Sequence, residues 1–390
     1  MMNYVFISPH FPRIFQNFAI HLNNKGVNVL GIADEPYDWL SPELKNSLTE
    51  YYKVDDLENY NEVLKACGYF THKYGKIDRI ESHNEHWLPL DASIRTDFNI
   101  FGYKNEDMDK IRKKSGMKDV FQAIGIPVAR GRIFTDYKDA LSLIEELNYP
   151  VIIKPDAGVG AYNTYQISNE EELKEFFSTN KEENVEYIME EFIDGQIVTY
   201  DGLTDIHGNI VFDTCLKYDR PVIEIATDNT DMYYYVPREV EEDLREYGKR
   251  CIKAFNIKER FFHLEFFRVE KDNSLIALEL NCRLPGGNTP EMWNYANDFD
   301  IYKEYANVIV DYEFKAEVSR KYYCCYVSRK DFRRYAYTNS EITQKYPTQI
   351  MAIESIPGIF SQIMGDIGFI FRTETKEEMD LIIRDIWKEG

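Results

Sequence analysis

The amino-acid sequence predicts a mixed α/β and α+β molecule, a small doubly wound parallel-sheet domain followed by a larger part rich in paired strands. Three observations carry this prediction. The chain opens with "NYVFIS", "RIFQNFAIHLNNKG" and "VNVLGIAD", a buried-strand run, an apolar pattern at helical spacing ending at Gly26, and a second strand, which is the order of a βαβ unit. Later, "FFHLEFFRVEKDNSLIALELN" reads as a hairpin-like pair of strands. A length of 390 residues also calls for two or three domains.

Taken in order, "DRIES" after the helical "NEVLKACGYFTHKYG" extends the first parallel sheet, which assigns residues 1–105 to the N-terminal Rossmann-like domain. The turn "SPHFP" lacks the GxGxxG fingerprint, so nothing supports a dinucleotide there. A charged amphipathic helix over "NEDMDKIRKKSGMKDVFQAIG" leads through "IPVARGRIF" and the helix "DYKDALSLIEELN" to the strand "PVIIKP" and the glycine-bearing "DAGVGAYNTY". A further helix, "NEEELKEFFSTNKEE", precedes the strand "VEYIMEEFIDG". Residues 106–190 and residues 191–390 are expected to form two further parts of the chain, the second a C-terminal domain. That domain holds strands at "QIVTYDGLTD" and "NIVFDTCLK", a helix near "VEEDLREYGKRCIKAFN", the hairpin and an α+β extension whose residues beyond 315 carry no legible motif.

Bulk chemistry excludes several classes of function. A hydrophobic fraction of 44% is that of a globular protein, and a net charge of -21 opposes nucleic acid or an anionic membrane as partner, since both select basic surfaces. Six cysteines without a CxxC pair read as reduced, packed thiols, and the start "MMNYVFISPHFPR" has no basic segment ahead of an apolar one. The expectation is a soluble cytoplasmic protein.

The chemistry-bearing residues cluster in a few stretches. In "ALELNCRLPGG", strand alternation puts Glu279, Asn281 and Arg283 on one face, and in "HLEFF" it puts His263, Glu265 and Phe267 on one face. If the strands pair, Glu265 and Glu279 lie side by side with Asn281 next along, a hard oxygen set suited to Mg²⁺. The competing reading is a solvated antiparallel face. Lys154 ends "PVIIKP", with Gly158 and Gly160 in the following turn, where backbone N–H groups can approach a polyphosphate and a lysine neutralise it; a plain turn fits as well. "YIMEEFIDG" offers Glu190, Glu191, Phe192 and Ile193 ahead of a turn, suited to an adenine edge or simply to an edge strand. Lys113 and Lys114 fall in a charge-rich helix, which is ordinarily a solvated face. "HNEH", from His83 to His86, lacks a third ligand and reads better as a loop at the end of the first sheet than as a metal site. Lys217 and Arg220 are candidate contacts for a substrate carboxylate, with surface cations as the alternative, and "DMYYYVP" offers an aromatic wall or plain packing.

The order of these stretches resembles the ATP-grasp superfamily over roughly residues 105 to 300, and the ExNxR pattern of Glu279, Asn281 and Arg283 is its most specific part. The resemblance implies an ATP-grasp fold preceded by the small domain, with residues 106–190 as its lid region carrying the phosphate loop and residues 191–390 as its catalytic domain. It also implies that Lys114 and Lys154 hold ATP phosphates, that Gly158 and Gly160 lie in the phosphate-covering loop, and that Glu190, Glu191, Phe192 and Ile193 form the adenine hinge, with Glu191 and Ile193 acting through their backbones. Glu265, Glu279 and Asn281 match magnesium ligands, with Mn²⁺ as an alternative ion, and Arg283 matches the arginine on the transferring phosphoryl group. One departure is that Gly195 is followed by Gln196 and Ile197 where many members carry an acid for the ribose; Asp194 and Asp201 are the candidate substitutes.

The implied activity is an ATP-dependent ligase that activates a carboxylate as an acyl phosphate and joins it to an amine, releasing ADP and phosphate. Its partners would be a small-molecule carboxylate and amine, and a homodimer is the family-level expectation. Alternatives are a biotin carboxylase-like or carbamoyl-phosphate-like enzyme activating bicarbonate, and a non-catalytic ATP-binding regulator.

Overall fold

A computed structural model describes residues 1–158, 163–180, 185–220 and 230–390, with the backbone alone for Ile359. The opening strands β1 (Asn3–Ile7), β2 (Asn28–Ala33), β3 (Glu50–Lys53) and β4 (Arg79–Glu81) form a parallel sheet in the order β3-β2-β1-β4. β1 is buried along its whole length, because helices or neighbouring domains cover both faces of such a sheet. Its alternating side chains serve two cores. Val5 and Ile7 pack with Leu30, Ile32 and Phe70, whereas Tyr4 and Phe6 join Phe18, Phe261, Trp293 and Tyr305. The second core spans the first domain and the C-terminal part, so the two are fixed to each other by apolar burial.

β5 (Gly131–Phe134), β6 (Val151–Pro155), β7 (Tyr165–Ile167) and β8 (Tyr187–Glu191) make an antiparallel sheet in the order β5-β8-β6-β7. It has its own core of Phe134, Leu143, Val151, Ile153, Phe176 and Met189. A larger antiparallel sheet contains β9 (Gly195–Thr204), β10 (Ile210–Thr214), β11 (Lys217–Tyr218), β12 (Tyr233–Val236), β13 (Phe261–Val269), β14 (Leu275–Asn281), β15 (Tyr323–Arg329), β16 (Ile350–Ser355) and β17 (Ile367–Thr373). Their order is β14-β13-β9-β11-β12-β15-β17-β16, with β10 on the edge of β9. The residues beyond 315 therefore continue the sheet that carries the acid-rich hairpin.

The segment predicted as one helix from residue 105 is two, Met108–Arg112 and Lys114–Ala123. Lys113 between them is extended and bridges to Ala157. The break folds the helices so closely together that a side chain on Gly116 would meet the Asp109 carbonyl oxygen at 2.2 Å. Met117 and Phe121 then pack with Leu264, Ala277 and Leu280, in the core of the large sheet rather than that of β5 to β8.

All six cysteines are buried free thiols. Among the described residues no helix is long and apolar enough to cross a membrane.

Candidate active site

The site lies where the sheet of β5 to β8 faces the β13–β14 hairpin. The hairpin pairs His263 with Asn281, Leu264 with Leu280 and Glu265 with Glu279, then shifts register at Phe266, which pairs with Ala277. The bulge leaves one extra residue on β14, and Ala277 N–H instead donates to Pro127 O at 2.8 Å. Glu265, Glu279 and Asn281 thus share one face as their alternation predicts. Asn281 Nδ2 lies 3.2 Å from Glu279 Oε1 and 3.5 Å from Glu265 Oε1. The Arg283 guanidinium reaches Asn281 Oδ1 at 3.5 Å and donates to Leu284 O at 2.6 Å.

Two carboxylates at one point need compensating charge. Lys114 Nζ stands 3.5 Å from Glu279 Oε2 and donates to Gly158 O at 3.2 Å. His263 Nε2 stands 3.1 Å from Glu265 Oε1, while its Nδ1 bonds Asp201, which also accepts from the Thr199 hydroxyl. Burial disfavours a charged His263, but Asp201 and Glu265 outweigh it and lift its pKa to about 9. Burial likewise works to raise Glu265, yet His263, Arg283 and Lys114 hold it below the usual carboxylate range. No cluster of three or more His, Cys, Asp and Glu side chains suited to a metal occurs among the described residues. The candidate donor set is instead two carboxylates and an amide, an all-oxygen chemistry that fits Mg²⁺ better than a soft metal.

Opposite the hairpin, Lys154 closes β6 and is 6% exposed. Its Nζ lies 2.7 Å from Glu190 Oε2, and the other Glu190 oxygen takes Lys118. Burial works to raise the Glu190 carboxyl, but the two lysines prevail and hold it at about 2. Ser115 N–H and hydroxyl both bond the Asp156 carboxylate, and Lys114 N–H donates to Asp156 O, pinning the start of that helix to the end of β6. Gly158 has φ +146 and, among the described residues, open space where a side chain would project, which suits a backbone approached by phosphate. Gly160 lies outside the described residues.

Along the predicted adenine hinge, Glu191 N–H donates to Arg130 O and its carboxylate takes the Arg130 backbone and guanidinium. Phe192 N–H donates to Pro150 O at 3.3 Å. Ile193 N–H has no hydrogen bond among the described residues, which leaves it as the donor a purine edge can use.

Several other candidates from the sequence have structural partners of their own. Asp201 is fully buried on His263, so it cannot meet a ribose; Asp194 is exposed. Lys217 is paired with Glu241, and Arg220 with the neighbouring Asp219. The two histidines of "HNEH" separate: His83 stacks on Phe18 at 4.1 Å in the aromatic core, and His86 pairs with Glu58 on the surface. Tyr234 is buried between Tyr218 and Tyr326, stacked on each.

Three contributions escape the sequence reading. Lys118 lies four residues after Lys114 and so on the same helix face, a spacing that could have flagged it. The Asp201–His263 pair needs β9 and β13 to be adjacent, which only the sheet order shows. Glu85, in the loop after β4, comes within 3.8 Å of Arg283 Nε across the domain boundary.

Comparison with known proteins agrees with this architecture. The ATP-grasp domain family model matches residues 147–291. The L-arginine-specific L-amino acid ligase of Bacillus subtilis is 26% identical over 302 residues, covering 74% of this chain and 70% of that one. The crystal structure of an L-amino acid ligase from Bacillus licheniformis superposes with a TM-score of 0.75 at 16% identity, covering 99% of this chain and 97% of that one. A biotin carboxylase domain dimer from Hydrogenobacter thermophilus, in complex with MgADP, ADP and bicarbonate, superposes with a TM-score of 0.68 at 16% identity over 96% and 87% of the two chains. At such identities the superpositions speak for the fold, and with the family match they lead to one conclusion: the chain has the ATP-grasp fold, with residues 147–291 matching the ATP-grasp domain family.

Proposed function

We propose that this protein is an ATP-dependent, ADP-forming carboxylate–amine ligase, with an amino acid as a substrate. The observation that carries the reading is the opposition of two charge sets. Lys114 contacts Glu279 of the acid pair Glu265 and Glu279, Lys154 feels the charge of both acids, Lys118 and Lys154 share Glu190 beside them, and Arg283 reaches Asn281 next to the pair. Such a cleft takes a polyphosphate between fixed cations and carboxylates. The amino-acid assignment is supported by the Bacillus subtilis relative, whose alignment covers most of this chain.

In this reading Lys114 and Lys154 hold the phosphates, Gly158 and Gly160 cover them, and Ile193 N–H with the Glu190 to Phe192 backbone frames the adenine. Glu265, Glu279 and Asn281 hold Mg²⁺, which neutralises phosphate charge and orients the γ-phosphoryl group when bound. Arg283 steadies that group as a substrate carboxylate oxygen attacks phosphorus and ADP departs. His263, fixed by Asp201, orients Glu265. The resulting acyl phosphate gives an amide when an amine attacks it, and the sheet of β5 to β8 excludes water meanwhile. A homodimer is proposed from the dimer of the biotin carboxylase neighbour.

The experiment is an array of carboxylates and L-amino acids with MgATP, scored by ADP release and by trapping acyl phosphate with hydroxylamine. Carboxylate-dependent hydroxamate is expected. Carbamoyl phosphate or a carboxylated product from bicarbonate would move the assignment to the bicarbonate-activating alternative, and nucleotide binding without turnover would move it to a regulator.

A further inference from the structure

The Glu85 side chain is a buried acidic group close to Arg283 that the roles above leave unused. It is 8% exposed, and its Oε2 is shielded from solvent and has no hydrogen-bond partner among the described residues. Arg283 Nε, at 3.8 Å, is its one cationic neighbour within 4.0 Å among the described residues, too far for a hydrogen bond. Native proteins rarely bury a carboxylate oxygen without a donor, since the lost hydration costs free energy that nothing returns.

The position is fixed by the surrounding loop. Ser82 N–H and hydroxyl bond Asp91, Asn84 N–H donates to Ser82 Oγ, and Leu88 N–H donates to Glu85 O. Below the loop, Glu81 receives Arg95 at 3.0 Å and also Arg260, whose other nitrogen donates to Cys282 O at 2.8 Å. The Glu85 loop is thereby tied to the residue that precedes Arg283. It also stands beyond the carboxyl end of a parallel strand, where open α/β sheets bind ligands.

A buried carboxylate without a donor calls for a group rich in donors and positively charged, which among ligase substrates is an ammonium. We propose that Glu85 receives the ammonium group of the amine substrate and takes its proton as the nitrogen attacks the acyl phosphate. This rests on the ligase reading above. The freed nitrogen lone pair forms the C–N bond, and the C–O bond to the phosphoryl group breaks with its electron pair going to the phosphate. The second nitrogen proton leaves on that phosphate, giving the amide, hydrogen phosphate and protonated Glu85. Burial, with Glu279 adding to it, raises the Glu85 carboxyl against the opposing pull of Arg283, Arg112 and Arg260. That direction narrows the gap to an ammonium and favours the transfer.

The test separates the two half-reactions in E85Q and E85D. Hydroxylamine, largely unprotonated at neutral pH, needs no base, whereas an L-amino acid arrives as an ammonium. With the carboxylate and L-amino acid that best support wild-type turnover, the ratio of amide to hydroxamate is expected to fall about 100-fold in E85Q. The residual amide rate should climb with pH as the amine deprotonates unaided, and E85D should recover part of the ratio. The melting temperature of ligand-free E85Q should be no lower than that of wild type, because the charge removed had no donor. Parallel loss of amide and hydroxamate, or an unchanged ratio, overturns this inference alone. Absence of hydroxamate from wild type overturns the ligase reading and this inference with it.

Discussion

Lys154 Nζ lies 2.7 Å from the Glu190 carboxylate, and both side chains are more than nine-tenths buried. With Lys118 on the other oxygen, Glu190 is the counter-charge of the lysines in the absence of nucleotide. Removing one member of a buried ion pair typically costs about 3–5 kcal/mol. E190Q should therefore melt below wild type without ligand, and ADP should raise its melting temperature by more than it raises that of wild type, because phosphate restores the missing negative charge. Thermal melts with and without ADP measure both quantities.

Glu279 contacts Lys114 and Asn281 and faces Glu265 in register. E279Q keeps the shape of the side chain and removes the charge proposed to hold the metal. Turnover dependent on Mg²⁺ should drop roughly 100-fold or more, while the far-UV circular dichroism spectrum remains that of wild type. Steady-state ADP release over a magnesium titration gives the comparison.

Glu81 joins β4 to the start of the hairpin through Arg260 and also holds Arg95 of its own domain. Burial alone would raise its carboxyl, but Arg260 and Arg95 hold it at about 2, below the 4.5 of a free glutamate. A depressed carboxyl stabilises the folded state above the unfolded value, and the contribution disappears as pH falls through the folded value. The difference in unfolding free energy between wild type and E81Q should be about 3–5 kcal/mol at neutral pH. It should shrink progressively below pH 4.5, as urea titrations at several pH values would record.

Gly116 lets the helix that begins at Lys114 press against the preceding one, with the Asp109 carbonyl 2.2 Å from where a Cβ would stand. Overpacking against backbone costs about 1–3 kcal/mol. G116A should lose stability of that order. It should also raise the KM for ATP, because the displaced helix carries both Lys114 and Lys118.

Much of this protein is legible from its sequence, and for local reasons. The period-two alternation of "HLEFF" and "ALELN" determined which face carries Glu265, Glu279 and Asn281, because a strand side chain has only two sides to choose from. The run "PVIIKP" likewise placed Lys154 at a buried strand end. Lys118 was half visible, since helix spacing gives its face but not what that face meets.

Tertiary structure alone decided the rest. Asp201 reads as a ribose candidate until β9 is set beside β13 and His263 claims it. The strands beyond residue 315 look unrelated to the site, yet β15 joins the same sheet through β12. Glu85 and Arg283 are almost two hundred positions apart, and no periodicity links them. Shared apolar burial, through Tyr4, Phe18, Phe261 and Tyr305, brings the two domains together and leaves a carboxylate facing the arginine of another sheet. Sequence patterns fix the direction of a side chain within its own element, whereas its partner depends on which elements bury surface against each other.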